Sequence, residues 1–313
     1  MSRYLERAEH TTRLLDVNLN LMLDESSTSA DRRWQRVLQA LGVVSEFKLA
    51  GDPFELVCSL TFDAASTSSV VGCIIAAREN SRHVREQIST EMWQRLNSLY
   101  LQVSAPGIEK NSTSSKDEAP TEFLSQVMDA VHQFQGVTDS TMSHGEGWHF
   151  IQIGRFIERA SATALLLMAY QPDFWKDPDR VPDSNEYLEW MGLLRSATAF
   201  EAYCKVYTAD LTPEWILEFL LLDAEFPHSL RFSIDSLVRA LEAVEMESGK
   251  SRTESLTRLA GRLQASLNYS GVDDILAQDV VGYLHNILVQ CSEIHSAIYQ
   301  LYIDYSIQTA LAG

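Results

Sequence analysis

The sequence predicts an all-α fold, one compact multi-helix body built from two tandem pseudo-repeated helical halves. Three observations lead there. Apolar residues recur with helical spacing along nearly every segment, and no run alternates convincingly at period two. Only 14 Gly and 8 Pro punctuate 313 residues, which favours long helices over a many-turned β fold. A charged phrase, RYLERAEHTTRLL from Arg3, returns as RFIERASATALLL from Arg155.

In the first helix, Leu5, Ala8, Thr12, Leu15, Leu19 and Met22 fall 3 or 4 apart and make one stripe. Comparable patterns predict helices over about 31–50, 53–63, 66–103, 120–144, 146–170, 186–210, 213–223, 226–248, 252–268 and 272–310. The polar, Ser-rich stretch SAPGIEKNSTSSKDEAP (104–120) reads as a mobile linker. QPDFWKDPDRVPDSN (171–185) holds three prolines and reads as a loop, ordered by Phe174 and Trp175.

The repeat runs past the opening phrase. Arg3 and Arg155 stand 152 positions apart, Trp34 and Trp190 stand 156 apart, and so do Phe47 and Tyr203. Asp63 pairs with Asp223, and Ser69 with Ser229, at an offset of 160. Drift confined to loops is what insertions into a tandem duplication produce. It divides the chain into halves at 1–145 and 146–313, each headed by its own copy of the phrase. Such halves pack about a pseudo-twofold axis, with equivalent helices side by side.

A formal charge of −18 argues against nucleic acid or an anionic membrane as partner. Cys58, Cys73, Cys204 and Cys291 lie far apart in apolar stretches, as reduced thiols of a cytoplasmic protein do. The N-terminus lacks the apolar run of a signal peptide. The most apolar segment, ATALLLMAY (162–170), falls far short of the roughly 20 residues that span a bilayer. These features predict a soluble, cytoplasmic protein.

In each R-x-x-E-R phrase the two arginines and the glutamate project to one side of the helix. That side continues as Leu14, Val17 and Leu21 in the first copy, and as Leu166 and Ala169 in the second. The helices are therefore apolar on two sides, and the charges are enclosed or line a cleft. A buried ion must be paired. Either Glu6 and Glu158 join the two helices through Arg7 and Arg159 (or Arg3 and Arg155), or the arginines bind a carboxylate or phosphate, oriented by the glutamates.

A second constellation lies in AARENSRHVREQIS (76–89), where Arg78, Arg82 and Arg85, with Glu79 among them, predict a basic ridge on a helix. The ridge is either a binding surface, since its second-half equivalent has lost the charges, or a solvated face. Metal ligation requires paired Glu-x-x-His signatures. The nearest patterns are Asp129/His132, Glu225/His228 with Pro227 between, and HGEGWH (144–149). None has credible ligand spacing, and no phosphate loop, G-x-S-x-G elbow or Cys/His dyad is present, so neither metal nor cofactor is assigned.

Together RYLERAE..TRLL, ARENSRHVREQISTEMWQRLN, GWHFIQIGRFIERA, LLRSATAFEAY and LLLDAEFPHSLRFSI resemble the bacterial alpha-E family over essentially the whole chain. The resemblance places the family's E-R positions on Glu6, Arg7, Glu158 and Arg159. The chain departs from the family pattern ahead of Arg3, where the short aromatic turn that GWHFIQIGR (147–155) supplies to the second copy is missing. Family members are encoded beside, or fused to, circularly permuted ATP-grasp proteins, often with a transglutaminase-like protease and sometimes a proteasome-like hydrolase. The resemblance therefore implies an accessory or co-catalytic partner of an amide or peptide ligase. Two other expectations stand beside it: acyl or peptide transfer in the same cleft, and, least supported, a helical metalloprotein.

Overall fold

The computed structural model describes residues 1–23, 30–44, 53–108, 119–174, 184–208, 210–248 and 254–304. Among them are fourteen α-helices and no strand. They are α1 Ser2–Leu23, α2 Ala30–Leu41, α3 Pro53–Phe62, α4 Val70–His83, α5 Thr90–Val103, α6 Ala119–Thr141 and α7 Glu146–Phe174, followed by α8 Ser184–Ser196, α9 Phe200–Tyr207, α10 Pro213–Leu222, α11 Leu230–Ser248, α12 Glu254–Asn268, α13 Val272–Leu276 and α14 Val280–Tyr299.

Several expected helices are subdivided. The stretch 66–103 breaks after His83 into a 3₁₀ turn, Arg85–Gln87, because Ser89 starts a new helix by accepting from the Met92 amide. The stretch 272–310 breaks before Val280, where Asp279 caps α14 through the Val281 amide. The stretch 186–210 breaks at Ala197–Ala199, and 31–50 stops at Leu41. Each of these last two ends is a Schellman closure. Gly42 bonds back to Gln39 and Val43 to Leu38; correspondingly Thr198 bonds to Arg195 and Ala199 to Leu194. The left-handed residue is Gly42 (φ 70°) in one case and Thr198 (φ 54°) in the other, which carries a β-branched side chain at its strained φ. Helix α7 continues past the expected loop start at 171 to Phe174. Trp175, Phe47 and most of the expected linker (109–118) lie outside the described residues.

Helices α1 and α7 form the centre and lie against each other. Helix α1 carries α4 and α6; α7 carries α11 and α14 in the same manner. The outer pair α5 bridges α4 to α6, and α12 bridges α11 to α14. Helix α2 packs on α7, while α8 packs on α1. The chain thus encloses one continuous core, in which Trp34, Trp190, Tyr203 and Phe219 are fully buried.

The central pair approaches closely at Gly154, where a Cβ would stand 2.3 Å from Ser2 Oγ. Ser2 and Gly154 are themselves 152 apart. Leu14, Leu15 and Leu21 of α1 and Leu166, Leu167 and Ala169 of α7 are all buried. The apolar residues on two sides of each helix are therefore accounted for by core contacts. Glu6, Glu158 and Arg159 of the charged phrases are buried there, while Arg3 and Arg7 lie at its edge.

Candidate functional site

The two phrases exchange partners across the α1–α7 contact. Glu158 accepts from Arg3 Nε at 2.8 Å and from Arg7 Nε at 2.6 Å. Glu6 accepts from Arg159 Nε and Nη2 at 2.5 and 3.1 Å, with Arg155 Nε 3.7 Å away. Each glutamate is thus held by both arginines of the opposite phrase. Of the two sequence readings, cross-helix pairing is the one realised at these atoms; the carboxylate the arginines bind is the protein's own.

The two pairings are unequal. Glu6 is 4% exposed and Arg159 likewise 4%, whereas the Arg3 and Arg7 side chains that face Glu158 are 33% exposed. Burial works to raise the Glu158 carboxyl, but Arg7 and Arg3 outweigh it and hold it below the ordinary range. At Glu6 burial is the largest influence; with repulsion from Glu9 it lifts the carboxyl above that range, against the pull of Arg159.

Around Glu6 a second layer of polar groups gathers. Glu9, 3% exposed, accepts from Arg13 at 2.6 Å and from Gln135 at 3.1 Å, and lies 3.1 Å from His132 Nε2. Gln135 in turn accepts from Arg155 at 2.7 Å. Burial opposes ionisation of Glu9, but the His132 hydrogen bond and the Arg13 charge prevail and depress its carboxyl strongly. The same hydrogen bond raises His132.

On the other side of Glu9 the turn before α11 presents His228. Asp223 Oδ1 accepts from the Glu225 and Phe226 amides, and the Ser229 hydroxyl donates to the Asp223 carbonyl at 2.5 Å. Helix α7 fastens this turn through Arg159 Nη1 on the Pro227 carbonyl and Thr163 Oγ1 on the His228 carbonyl. The equivalent turn in the first half repeats the motif: Asp63 Oδ1 accepts from Ala65, and Ser69 donates to the Asp63 carbonyl at 2.5 Å. His10 faces the same cleft. Burial and Arg13 lower it to about 4, and burial and Arg159 lower His228 well below the usual histidine range, so both rings are neutral near neutral pH.

Sequence reasoning singled out the E-R phrases and missed Glu9, His10 and Arg13; His132 and His228 entered it only as discarded metal ligands. The signal lay in the mismatch between the copies. Glu9, His10 and Arg13 stand where the other phrase is followed by Ser161, Ala162 and Leu165, so only one phrase has these polar groups. Among the described residues no group of three or more His, Cys, Asp or Glu is arranged to hold a metal ion.

The basic ridge is not one helical face. Arg78 and Arg82 lie on α4, while Arg85 falls in the 3₁₀ turn that the Ser89 cap enforces beyond it. Arg78 lies 4.6 Å from the Tyr100 ring and 5.6 Å from Trp93; Arg85 lies 5.5 Å from Trp93. Exposed Arg82 pairs with Glu79 at 3.0 Å. Arg78 Nε also donates to Asn97 at 3.4 Å and Arg85 Nη1 to the Ile88 carbonyl at 3.4 Å, so only part of each guanidinium's N–H edge is left for a partner.

The family profile described as a predicted alpha-helical domain with a conserved ER motif matches residues 1–303. Similar curated proteins include an uncharacterised protein of Mycobacterium bovis, 23% identical over 95% of this chain and 34% of its own length. An uncharacterised protein of Mycobacterium tuberculosis is 22% identical over the same shares. The chain spans about a third of the length of the curated relatives it matches. No solved structure matches. Among the described residues no helix is long and apolar enough to cross a membrane.

Proposed function

This chain belongs to the Alpha-E family, and from that premise we propose that it is an accessory or co-catalytic partner of a circularly permuted ATP-grasp amide or peptide ligase, acting in the cytoplasm. One observation carries the reading. The E-R glutamates are consumed in pairing α1 to α7, whereas Arg78 and Arg85 lie part-exposed beside Trp93 and Arg82 stands at the surface with Glu79. That cluster suits docking against an acidic surface of ligase or peptide, and the transglutaminase-like protease is a second partner of the same system. The greater length of the relatives agrees with a module that works alongside others.

Co-expression with the ATP-grasp protein tests this. The tagged chain should retain the ligase through size-exclusion chromatography, and Arg78→Glu with Arg82→Glu should abolish the complex while the helical circular dichroism persists. A wild-type chain that elutes free of the ligase refutes the partnership. A complex unaffected by the two reversals refutes the docking surface.

A second reading, acyl or peptide transfer in the cleft, draws on one feature. His132, with its side chain half exposed, is backed by the buried Glu9 carboxylate, the arrangement that orients an imidazole to take a proton from an attacking amine. On this reading His132→Gln should abolish transfer with the complex intact.

A further inference from the structure

We infer that the cleft enclosed by α1, α7, α8 and the turn before α11 binds a neutral amide group, its carbonyl accepting from Arg13 and its N–H donating to His10 Nε2. The inference goes beyond ligase docking and concerns a different face of the molecule. Four observations support it.

The first is an unmet acceptor. His10 Nε2 is enclosed and has no hydrogen-bond partner. The ring also feels the Ala40 backbone, and in the neutral tautomer protonated on Nδ1 the lone pair on Nε2 faces the cleft. A buried polar atom without a partner costs roughly 1–3 kcal/mol, which a donor placed in the cleft would relieve.

The second is an unused donor set. Arg13 donates once, through Nη2, to Glu9, out of the five N–H groups a guanidinium carries. Thr163 and Ser196 line the same cleft, and their hydroxyl protons are already committed, to the His228 and Gly192 carbonyls. They are left to accept. The cleft therefore offers donors from Arg13 and acceptors from His10, Thr163 and Ser196.

The third is charge balance. Two carboxylates, Glu6 and Glu9, and two guanidiniums, Arg13 and Arg159, line the cleft, and both imidazoles there are neutral. Asp16 lies further along α1 beside Arg13. A carboxylate ligand would meet two carboxylates and a histidine lone pair. An ammonium would find each carboxylate already ligated by at least two side chains. A neutral group with one acceptor and one donor leaves no charge uncompensated.

The fourth is space. Ala162 stands where the other phrase has His10, and it lines the cleft opposite. The enclosed part offers about 10 Å³ to the centre of a water, which holds about one water molecule. That is the seat of a single polar group, with the remainder of a ligand in the mouth. The wall at Ser196 and Ala197 runs directly into Thr198, the β-branched residue held at positive φ, and such strain collects at ligand sites.

The test uses the full chain with histidine-labelled NMR. Propionamide, N-methylacetamide, propionate and ethylammonium are each titrated in turn, with resonances assigned through His10→Phe and His228→Phe. Propionamide or N-methylacetamide should shift the His10 and His228 signals saturably in the millimolar range. Propionamide alone points to a side-chain or terminal carboxamide, and both together to a peptide bond. Propionate and ethylammonium should bind at least tenfold more weakly, and His10→Phe should lose the amide response seen at His228. Tighter binding of propionate, or no saturable shift with either amide, overturns the inference. Should His10→Phe fold poorly, the wild-type ranking of the four probes decides alone. No ligase is present, so failure here leaves the partnership standing, and failure of the partnership leaves this result standing.

Discussion

Glu6 and Glu158 occupy equivalent places in the two phrases and make equivalent cross-helix pairs, yet their surroundings differ. Glu6 is followed by Glu9, His10 and Arg13, and is neighboured by His132, Gln135 and His228. Near Glu158 the corresponding positions are Ser161, Ala162 and Leu165. Leu165 Cδ1 packs within 3.3 Å of where a Cβ on Gly42 would stand. Cys73 and Cys291, whose thiols burial pushes up to about 12, also lie at this end, together with His295 beside Arg3 and Glu158. The contrast separates two roles. What both ends share, the crossed ion pairs, fastens α1 to α7; what only one end has, a neutral polar cleft, is where binding chemistry belongs.

Removing each glutamate should expose the inequality. Glu6→Ala strands Arg159, which is buried, and should cost about 3–5 kcal/mol. Glu158→Ala strands Arg3 and Arg7, each one-third exposed; these rehydrate, and the loss should be about 1–3 kcal/mol. Urea denaturation measures both. Equal losses would erase the distinction between a buried and a wetted end.

The next largest effect is on pH dependence. His10 and His228 have depressed folded values, so each contributes stability above about pH 6.5 that is lost as pH falls through its folded value, about 4 for His10. Up to about 1.4 kcal/mol per pH unit per imidazole is at stake. Glu9 and Glu158, also depressed, withdraw stability only below the ordinary carboxylate range. His132, raised by Glu9, acts in the opposite sense and loses its contribution as pH rises through its folded value. The chain should therefore weaken from about pH 6.5 downward. His10→Phe with His228→Phe should shrink that limb, leaving the part that His295, lowered by burial and Arg3, contributes and the acid loss of the carboxylates. A limb unchanged by the double substitution would mean that these rings are not buried neutral.

The all-helical class was legible in the sequence, and the crossed glutamates were one of the two readings that two-sided apolar helices carrying charges allow. Helix ends were less legible. Ser89 and Asp279 cap new helices inside runs whose apolar period continues unbroken, so periodicity alone cannot detect them. The ridge of Arg78, Arg82 and Arg85 failed as a single face for that reason. The polar cluster around Glu9 was hidden differently: His132 and His228 approach it from α6 and from a turn more than 90 residues apart, a convergence created by packing. Its one local trace was that Glu9, His10 and Arg13 have no polar counterparts after the other phrase.

The smallest effect concerns the two Schellman closures. Gly42 takes its positive φ without strain, while Thr198 does not. Thr198→Gly should therefore stabilise the chain by about 0.5–1 kcal/mol, visible as a higher Tm. If the cleft wall depends on that strain, the same variant should bind propionamide more weakly. Lower stability in Thr198→Gly would show that the Thr198 side chain contributes more than its backbone costs.

The central claim is that the glutamate of each phrase is paired by the arginines of the other, across α1 and α7. Double-mutant cycles in urea test it most directly, comparing the crossed pair Glu6/Arg159 with the pair Arg3/Glu6 inside one phrase. The crossed pair should show a coupling of about 2 kcal/mol or more, and the in-phrase pair should lie within about 0.5 kcal/mol of zero. Coupling within the phrase, with none across it, would contradict the account.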